Sequence, residues 1–510
     1  MKKYFFLFLG LSLFVSCSND DNGIDPGPTP QPEPNPDNVD VDAQNFMWQA
    51  MNLWYFWQGE VPDLADDRFS TNAEYTAFLA ANTDAENFFY SICNRHEEIY
   101  GSETAIDRFS FAYEDYHDLV NSLSGVSKSN GLEFNLMYKY STGNEIFGYV
   151  LYKVPNSNAS DKDIVRGEIF TRVDGVQLTD INYTNLLFGS NDTYTLGMAH
   201  IENGDFVNDA KEVTLTKVEN QVEDPILVAK TLDVNGTKVA YLMYNRFLSS
   251  FNDQLNEAFA GFKAEGATEL VLDMRYNPGG NVNTSRLLAS MVYGTKTGEV
   301  YIRQRWNDKV QEQFTELFGS GYLEDNFENS VGENPLNSLN LSRVFVLATG
   351  DSASASELVM NGLDPYVDVI HIGETTRGKN EFSITLVDNP DLGFPFYYYA
   401  GEKEEVESGI NPNNSWGLQP LVGRNENANG FYDYTSGLVP DIALSEDLTN
   451  LGVLGDPNEP LLARALEEIT GVSAKIDLTV EMAAESFTSS RFQTPLKDNM
   501  YLDKPLQFNK

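Results

Sequence analysis

The chain has few of the residues on which disulfide-stapled folds and metal sites depend. It contains two cysteines, Cys17 and Cys93, and four histidines. A fold held by disulfides is therefore excluded, as is a cysteine-rich zinc or iron–sulfur site. The sequence also lacks a His-Glu-x-x-His pattern, which argues against metal catalysis through histidine ligands. We expect no metal and no organic cofactor.

Basic side chains are scarce as well. There are 34 of them against 76 acidic ones, which gives a formal net charge of -42 over 510 residues. Such a chain repels phosphate backbones, so a nucleic acid is not an expected partner. Hydrophobic residues at 41% and aromatic residues at 12% exclude a disordered acidic polymer. The length suggests two to four domains.

No apolar run reaches the roughly 20 residues that span a bilayer. Residues 1–3 are Met-Lys-Lys and residues 4–15 are largely apolar, which is typical of a signal peptide. The stretch ends Leu-Phe-Val-Ser-Cys17, which resembles a bacterial lipobox, and the following Ser-Asn-Asp-Asp resembles the acidic export tag of Bacteroidetes surface lipoproteins. The resemblance implies lipidation at Cys17, a membrane anchor, and an outer-membrane location at the periplasmic face or cell surface.

The next two segments differ sharply in composition. Residues 18–42 hold six prolines, seven acids and no base, which predicts an extended tether. Residues 43–126 read as a helical region with a second helix at Ala85–Arg95, where Cys93 is expected to be a buried hydrophobe rather than a nucleophile. The first helix is predicted from apolar residues at helical spacing: Phe46, Met47, Ala50, Met51, Trp54 and Trp57.

Residues 127–222 show short strands separated by turn residues. Gly131-Leu132-Glu133-Phe134 and the stretch from Arg166 to Gly175 resemble the carboxylate-binding loop and the later strand and turn of a PDZ domain. The resemblance implies that a protein or peptide substrate adds a strand beside this loop. Glu133 stands where the family has glycine, and places a negative charge near that carboxylate. The alternative is an ordinary β-domain with an Asp-Gly turn.

Residues 223–455 alternate between strands and helices, which predicts a mostly parallel sheet with ligands at the carboxyl ends of its strands. Residues 296–342 read as a polar, irregular insertion. Residues 456–510 contain a helix at Leu461–Ile469 and a tail without a recognised motif. The predicted fold is thus α/β, with an N-terminal helical region and an inserted PDZ-like, β-rich domain. The predicted strands of the core are Val239–Tyr244, Leu270–Met274, Val344–Ala348 and Val367–Ile372.

Two loops follow strands of this core. Asp273–Gly280 ends in paired glycines, which let a backbone turn its N–H groups toward a ligand. Gly350–Glu357 leads from a strand into a helix, where a serine hydroxyl is exposed and the helix N-terminus favours negative charge. Ser354-x-x-Glu357 is also a capping box, which by itself requires no catalysis.

The loops 273–280 and 350–357, together with 373–379 and more loosely 436–442, resemble the C-terminal processing peptidases, also called tail-specific proteases. These are serine–lysine peptidases with an inserted PDZ domain. The resemblance implies that Ser354 is the nucleophile and that Lys379, 25 residues later, is its general base. A base at neutral pH requires a lysine whose pKa is lowered by desolvation. The oxyanion hole would comprise the N–H of Ala355 and one from Gly279 or Gly280.

Several alternatives stay open. The family often has a glutamine four positions after the lysine, and Ser383 occupies that position here. Either Glu381 or Ser383 takes over the orienting role, or Lys379 is less well held. Ser352 and Ser356 are other possible nucleophiles, and His371 is a rival base. Because of Ser383 and Glu133, a surface peptide-binding protein that has lost turnover is the alternative to an endopeptidase.

Overall fold

The computed structural model describes residues 41–391, 396–399, 407–472, 476–484 and 486–503. The predicted signal peptide, Cys17 and nearly all of the predicted tether lie outside the described residues. Among the residues that are described, no helix is both long enough and apolar enough to cross a membrane. The domain boundaries drawn from the sequence stay predictions.

The helices and strands are numbered in chain order. The α-helices of the described part are α1 Asp42–Trp54, α2 Asn72–Ala80, α3 Ala85–Ser91, α4 Glu97–Tyr100, α5 Tyr116–Leu123, α6 Asn252–Ala264, α7 Val282–Tyr293, α8 Asp308–Phe318, α9 Ala355–Leu363 and α10 Pro460–Thr470. The strands are β1 Phe111–Tyr113, β2 Val126–Ser129, β3 Leu132–Tyr138, β4 Ile146–Lys153, β5 Ile169–Val173, β6 Val176–Gln177, β7 Thr193–Glu202, β8 Asp205–Thr216, β9 Val218–Val222, β10 Ile226–Val234, β11 Thr237–Tyr244, β12 Glu269–Asp273, β13 Gly280–Asn281, β14 Val300–Trp306, β15 Glu324–Asn326, β16 Ser330–Val331, β17 Asn334–Pro335, β18 Arg343–Ala348, β19 Asp368–Gly373, β20 Glu381–Ser383, β21 Thr385–Val387, β22 Phe396–Tyr398, β23 Gly417–Gln419, β24 Leu421–Asn427, β25 Ile442–Ala443, β26 Thr488–Ser489 and β27 Met500–Tyr501.

One compact unit comprises the described residues up to Tyr116 together with 307–310 and 384–421. Its helix α1 carries the predicted apolar stripe, and the stripe is buried from Phe46 to Trp54. Trp57 lies beyond the end of α1, because the chain turns into an extended conformation at Tyr55. Cys93 is buried just after α3, and burial raises the pKa of its thiol. This buried position and the raised pKa agree with the prediction that Cys93 is a buried hydrophobe rather than a nucleophile.

The other compact unit comprises residues 117–306, 311–383 and 422 onward. Its central sheet has the order β10-β11-β12-β18-β19-β25. Every pairing in this sheet is parallel except that of β10 with β11. The mostly parallel α/β core is therefore confirmed. The inner strands β11, β12 and β18 are buried on both faces over most of their length, as expected when helices cover a parallel sheet.

An antiparallel sheet follows within the same unit, with the order β26-β3-β4-β5-β7-β8 and β6 beside β5. Its core contains Phe134, Val150 and Phe170. The β-rich insert is thus present, while its PDZ-like character stays a prediction. The edge strand β26 comes from residues more than 300 positions later in the chain than β3, its partner in the sheet.

A third sheet has the order β13-β27-β20-β24-β14-β15. It overturns the expectation of an irregular insertion at residues 296–342, because β14 and α8 lie there and Tyr301 and Ile302 are fully buried. The polar residues of β14 misled the sequence interpretation. Arg303 pairs with Glu324 at 2.8 Å and Arg305 with Glu426 at 3.0 Å, so these charges line a strand rather than a loop.

Candidate active site

Three neighbouring parallel strands deliver the predicted catalytic segments to one edge of the central sheet. The glycine loop follows β12, the loop 350–357 follows β18, and Gly378-Lys379 follows β19. Because β12, β18 and β19 are adjacent and parallel, their carboxyl ends lie side by side. This is the edge at which open α/β sheets bind ligands.

Ser354 is the residue of the loop 350–357 with an uncommitted hydroxyl. It is fully buried, immediately precedes α9, and has φ 64° and ψ -115°, a left-handed region that non-glycine residues rarely adopt. Its Oγ has no hydrogen-bond partner within the described structure. In contrast, Ser352 Oγ donates to Met274 O at 2.8 Å and Ser356 Oγ donates to Asn277 O at 2.9 Å. The geometry therefore favours Ser354 over the two alternative serines.

The glycine loop lies directly against this serine. A Cβ added to Gly279, whose φ is 108°, would stand 2.5 Å from Ser354 Cβ and 2.6 Å from Ser354 Oγ. Only glycine fits this approach. The Gly279 N–H donates to Asn277 Oδ1 at 2.9 Å. Gly280 in turn pairs with Met500 of β27, so the oxyanion hole of Ala355 N–H and one N–H from Gly279 or Gly280 stays a prediction.

Glu357 connects the predicted nucleophile to the predicted base. Its Oε2 accepts the N–H of Ser354 at 2.7 Å and the N–H of Lys379 at 2.9 Å. Its Oε1 accepts the N–H of Gly378 at 2.7 Å and the hydroxyl of Thr376 at 2.5 Å. Burial raises the pKa of Glu357 to about 7 in spite of these donors. The sequence predicted Glu357 only as part of a helix cap. In the folded chain its buried carboxylate also accepts the N–H groups of Gly378 and Lys379.

Lys379 is fully buried, and the C-terminal segment, defined here as residues 486–503, binds its amine. Nζ donates to Asp498 O at 3.2 Å and to Asn499 Oδ1 at 3.2 Å. A hydrogen bond between Lys379 Nζ and Ser354 Oγ is absent from this structure, since Ser354 Oγ is unpartnered. No sequence motif had pointed to Asp498 or Asn499.

The two residues predicted to orient Lys379 lie on β20. Ser383 Oγ donates to Asn499 Oδ1 at 2.9 Å and to Met500 O at 3.2 Å. Glu381 lies two positions earlier on the same strand and is buried. Ser383 therefore reaches the same amide oxygen that accepts the Lys379 amine.

Nearby cations favour an anionic Asp498, whereas burial favours a neutral His371. Although burial alone would raise it, the Arg377 guanidinium and Lys379 hold the pKa of Asp498 below its ordinary value. Burial lowers the pKa of His371, whose Nε2 lies 3.4 Å from Ala348 O and whose Nδ1 has no partner in the described structure. A Ser354–His371 hydrogen bond is absent, so the geometry does not favour the rival pairing.

The predicted peptide-binding strand of the β-rich insert is occupied by the chain itself. Strand β26 pairs antiparallel with β3, opposing Thr488 to Leu136, and Phe134 N–H donates to Ser490 Oγ at 2.9 Å. Ser490 Oγ in turn donates to Glu133 Oε2 at 2.6 Å. Gly131 has φ 77° and Leu132 is buried at the start of the same strand. The C-terminal segment thus lies where an added strand was predicted.

Glu133 is balanced by a cation from the same segment. Arg491 is buried, places Nη1 3.8 Å from Glu133 Oε1, and pairs more closely with Glu223. Burial raises the pKa of Glu133 more than the Arg491 charge lowers it. The negative charge that replaces the family glycine is therefore matched inside this chain.

A serine whose hydroxyl is unpartnered at a strained strand-to-helix turn, joined through one carboxylate to the backbone of a buried lysine, is the arrangement expected of a serine-type peptidase. Residues 238–414 match the model of Peptidase family S41, and residues 42–111 match the Peptidase S41 N-terminal domain. These two matched segments identify domains of peptidase family S41 within the chain. The family expected from the loop motifs is thereby confirmed.

Individual relatives agree with this assignment. The chain is 25% identical over 281 residues to a carboxyl-terminal-processing protease of Picosynechococcus sp. (strain ATCC 27264 / PCC 7002 / PR-6), a match that covers 54% of this chain and 60% of that protein. It resembles the crystal structure of an S41 protease from Bacteroides fragilis NCTC 9343 at 24% identity and a TM-score of 0.59, covering 87% of this chain and all of that one. The latter likeness shows the shared fold.

Proposed function

We propose that this chain is an exported serine endopeptidase of the C-terminal processing type, which hydrolyses extended or unfolded proteins through an acyl-enzyme. The observation that carries the proposal is the unpartnered Ser354 hydroxyl, held in a strained backbone against Gly279 while its two neighbouring serines are engaged. The matched domains of family S41 and the name of the Picosynechococcus relative support the same activity.

The chemistry follows from the arrangement. Lys379 Nζ in its neutral form takes the Ser354 proton as Oγ attacks the scissile carbonyl. The N–H of Ala355 and one from Gly279 or Gly280 stabilise the oxyanion that forms. Collapse of the intermediate breaks the C–N bond, and Lys379 returns its proton to the leaving amine. A water molecule then attacks the acyl-enzyme and loses a proton to Lys379. As the acyl C–O bond breaks, Lys379 returns that proton to Ser354 Oγ and the product carboxylate leaves.

Ser354 and Lys379 must approach each other for this reaction, because Oγ and Nζ share no hydrogen bond in this structure. Their backbones are already held on one carboxylate oxygen of Glu357. Catalytic hydrogen bonds that tighten only with bound substrate are common.

The test compares Ser354→Ala with Ser356→Ala on fluorescently labelled, unfolded casein and on a fluorophosphonate that acylates active serines. Ser354→Ala is expected to abolish both cleavage and labelling, a loss on the order of 10³-fold or more. Ser356→Ala keeps the nucleophile and is expected to retain both. Cleavage by Ser354→Ala at the wild-type rate contradicts the assignment.

The absent Oγ–Nζ hydrogen bond also favours a second candidate, a surface protein that binds peptides without cleaving them. In that case wild-type protein and Ser354→Ala would bind unfolded casein with equal affinity, and neither would cleave it or react with the fluorophosphonate. Cleavage by the wild type excludes this candidate.

The anchor and the peptide partner belong to the same proposal. Lipidation at Cys17 would tether the peptidase to the membrane, so Cys17→Ala is expected to move it to the soluble fraction of the cells that express it. An extended substrate would enter along β3 at Gly131–Phe134, which requires displacement of β26. Unchanged membrane association of Cys17→Ala contradicts the anchor.

A further inference from the structure

Lys379 is held by a part of the chain that no catalytic motif includes. Its amine donates to two neutral oxygens of the C-terminal segment, the backbone oxygen of Asp498 and the side-chain oxygen of Asn499, both at 3.2 Å. The hydroxyl of Ser383 donates to the same Asn499 oxygen at 2.9 Å. Asn499 is itself almost fully buried. The contact is therefore an interior one between fixed groups.

The position of Asn499 is set by the strand that follows it. Strand β27 lies between β13 and β20, with Met500 opposite Gly280 and Tyr501 opposite Ser383. Leu502 N–H donates to Ser383 O at 3.0 Å, and Met500 and Tyr501 are fully buried. Asn499 is thus fixed relative to both the glycine loop and β20.

Two neutral acceptors have a defined effect on a lysine base. A neutral amine has two hydrogens and one lone pair around nitrogen, so donating both hydrogens to fixed oxygens fixes the direction of the lone pair. An amide oxygen accomplishes this without the negative charge that would stabilise the ammonium form. Holding a long, flexible side chain in this way also removes rotational freedom before the reaction.

We propose that Asn499 is the positioning residue of Lys379 and that Ser383 holds the Asn499 amide in place. This inference depends on the proposed function, since it assigns Lys379 the role of base. It assigns Ser383 an indirect role, through Asn499, in orienting the lysine. Two described carboxylates interact with this lysine. Asp498 interacts with both Lys379 and Arg377, and Glu357 accepts the Lys379 backbone N–H.

The experiment measures casein cleavage and fluorophosphonate labelling against pH for the full chain and five variants. Asn499→Asp places a carboxylate beside Nζ, which favours the ammonium form and is expected to raise the pH midpoint of labelling by about one unit. Asn499→Ala is expected to lower kcat on the order of tenfold with KM nearly unchanged. Ser383→Ala is expected to lower kcat by about threefold, because it only loosens Asn499. The control Asn425→Ala removes another buried amide, one that contacts Met500 Sδ, and is expected to keep the wild-type midpoint.

Wild-type midpoints and rates in folded Asn499→Asp and Asn499→Ala overturn the positioning role. If circular dichroism shows that those variants do not fold, Ser383→Ala is the test. A wild-type rate in Ser383→Ala would also overturn the positioning role of Asn499. Lys379→Ala separates this inference from the proposed function. Full activity in Lys379→Ala removes the base assignment itself, whereas an inactive Lys379→Ala with unaffected Asn499 variants overturns only the positioning role.

Discussion

The loop 350–357 and the C-terminal segment both reach the active site, but they do so in different ways. The loop brings Ser354, Ala355 and Glu357 into place within eight residues of sequence, by one strand-to-helix turn. The segment brings Asn499 to Lys379 across 120 residues, through a two-residue strand inserted between β13 and β20. The residues of the loop form a local sequence motif, whereas Asn499 comes close to Lys379 only in the folded chain.

Removing the C-terminal segment is the strongest test of this contrast. A chain ending at Ala484 loses β26, β27 and the acceptors of Lys379, so we expect hydrolysis to fall by roughly 10³-fold or more. A chain ending at Asp503 is the matched control and is expected to keep wild-type activity. Both are measured by casein cleavage and thermal unfolding. Activity in the shorter chain would show that the segment is not part of the site.

Gly279→Ala tests the close approach of the glycine loop to the nucleophile. The new Cβ would meet Ser354 Oγ at 2.6 Å, and displacing a reacting group by such a contact costs on the order of 100-fold in kcat/KM. Gly319→Ala is the control, since Gly319 also has positive φ, 82°, but open space around it. It is expected to change stability by about 1 kcal/mol and activity hardly at all. Equal activity losses in the two variants would refute a specific contact.

Glu357→Gln tests whether the helix cap also joins nucleophile and base. Because the pKa of Glu357 is raised to about 7, wild-type activity is expected to fall as the pH drops through about 7 and the acceptor is protonated. Glu357→Gln is expected to lower kcat on the order of tenfold and to remove the part of this fall that is due to Glu357, leaving the part that is due to Lys379. Asp351→Asn is the control. Burial also raises the pKa of Asp351, to about 6, but its carboxylate accepts a hydrogen bond from Asn135 and does not join the nucleophile to the base. The fall in activity below about pH 7 should therefore persist in this variant.

The same carboxyl predicts a stability effect of known sign. Its pKa is higher in the folded chain than the value near 4.3 expected when unfolded, so the folded state holds the proton more tightly. The contribution of Glu357 to stability is therefore largest below about pH 4 and declines as the pH rises to about 7. Chemical denaturation of wild type and Glu357→Gln at both pH values measures it. An identical pH slope in the two proteins contradicts the raised pKa.

Ser490→Ala is expected to have the smallest effect. It leaves the buried Phe134 N–H without its acceptor and Glu133 without a donor, which costs about 1–3 kcal/mol of unfolding free energy. Catalysis should change by less than about threefold, because the active-site contacts of the segment are made by Asp498 and Asn499. A large loss of activity would instead link the β3 edge to catalysis.

The parts of the molecule that could be predicted are those whose signal is local. The alternation of strand and helix patterns predicted the parallel core, and the order of the loop motifs indicated family S41. Strand β14 was missed because its arginines suggested a surface loop, while their partners Glu324 and Glu426 lie on other strands. Asn499 could not be found, because a single asparagine after an aspartate carries no periodicity, and its partners lie more than 100 residues away.

The place of β27 in its sheet also sets the order in which the site can be completed. During synthesis Gly280 and Ser383 emerge long before Met500 and Tyr501, yet these later residues fill the gap between the strands that carry the earlier two. Until the chain has been made through about residue 502, the lysine has neither of its described acceptors. A nascent peptidase would therefore stay inactive while its own unfolded chain is the nearest substrate, since long-range strand pairing is the late step of folding.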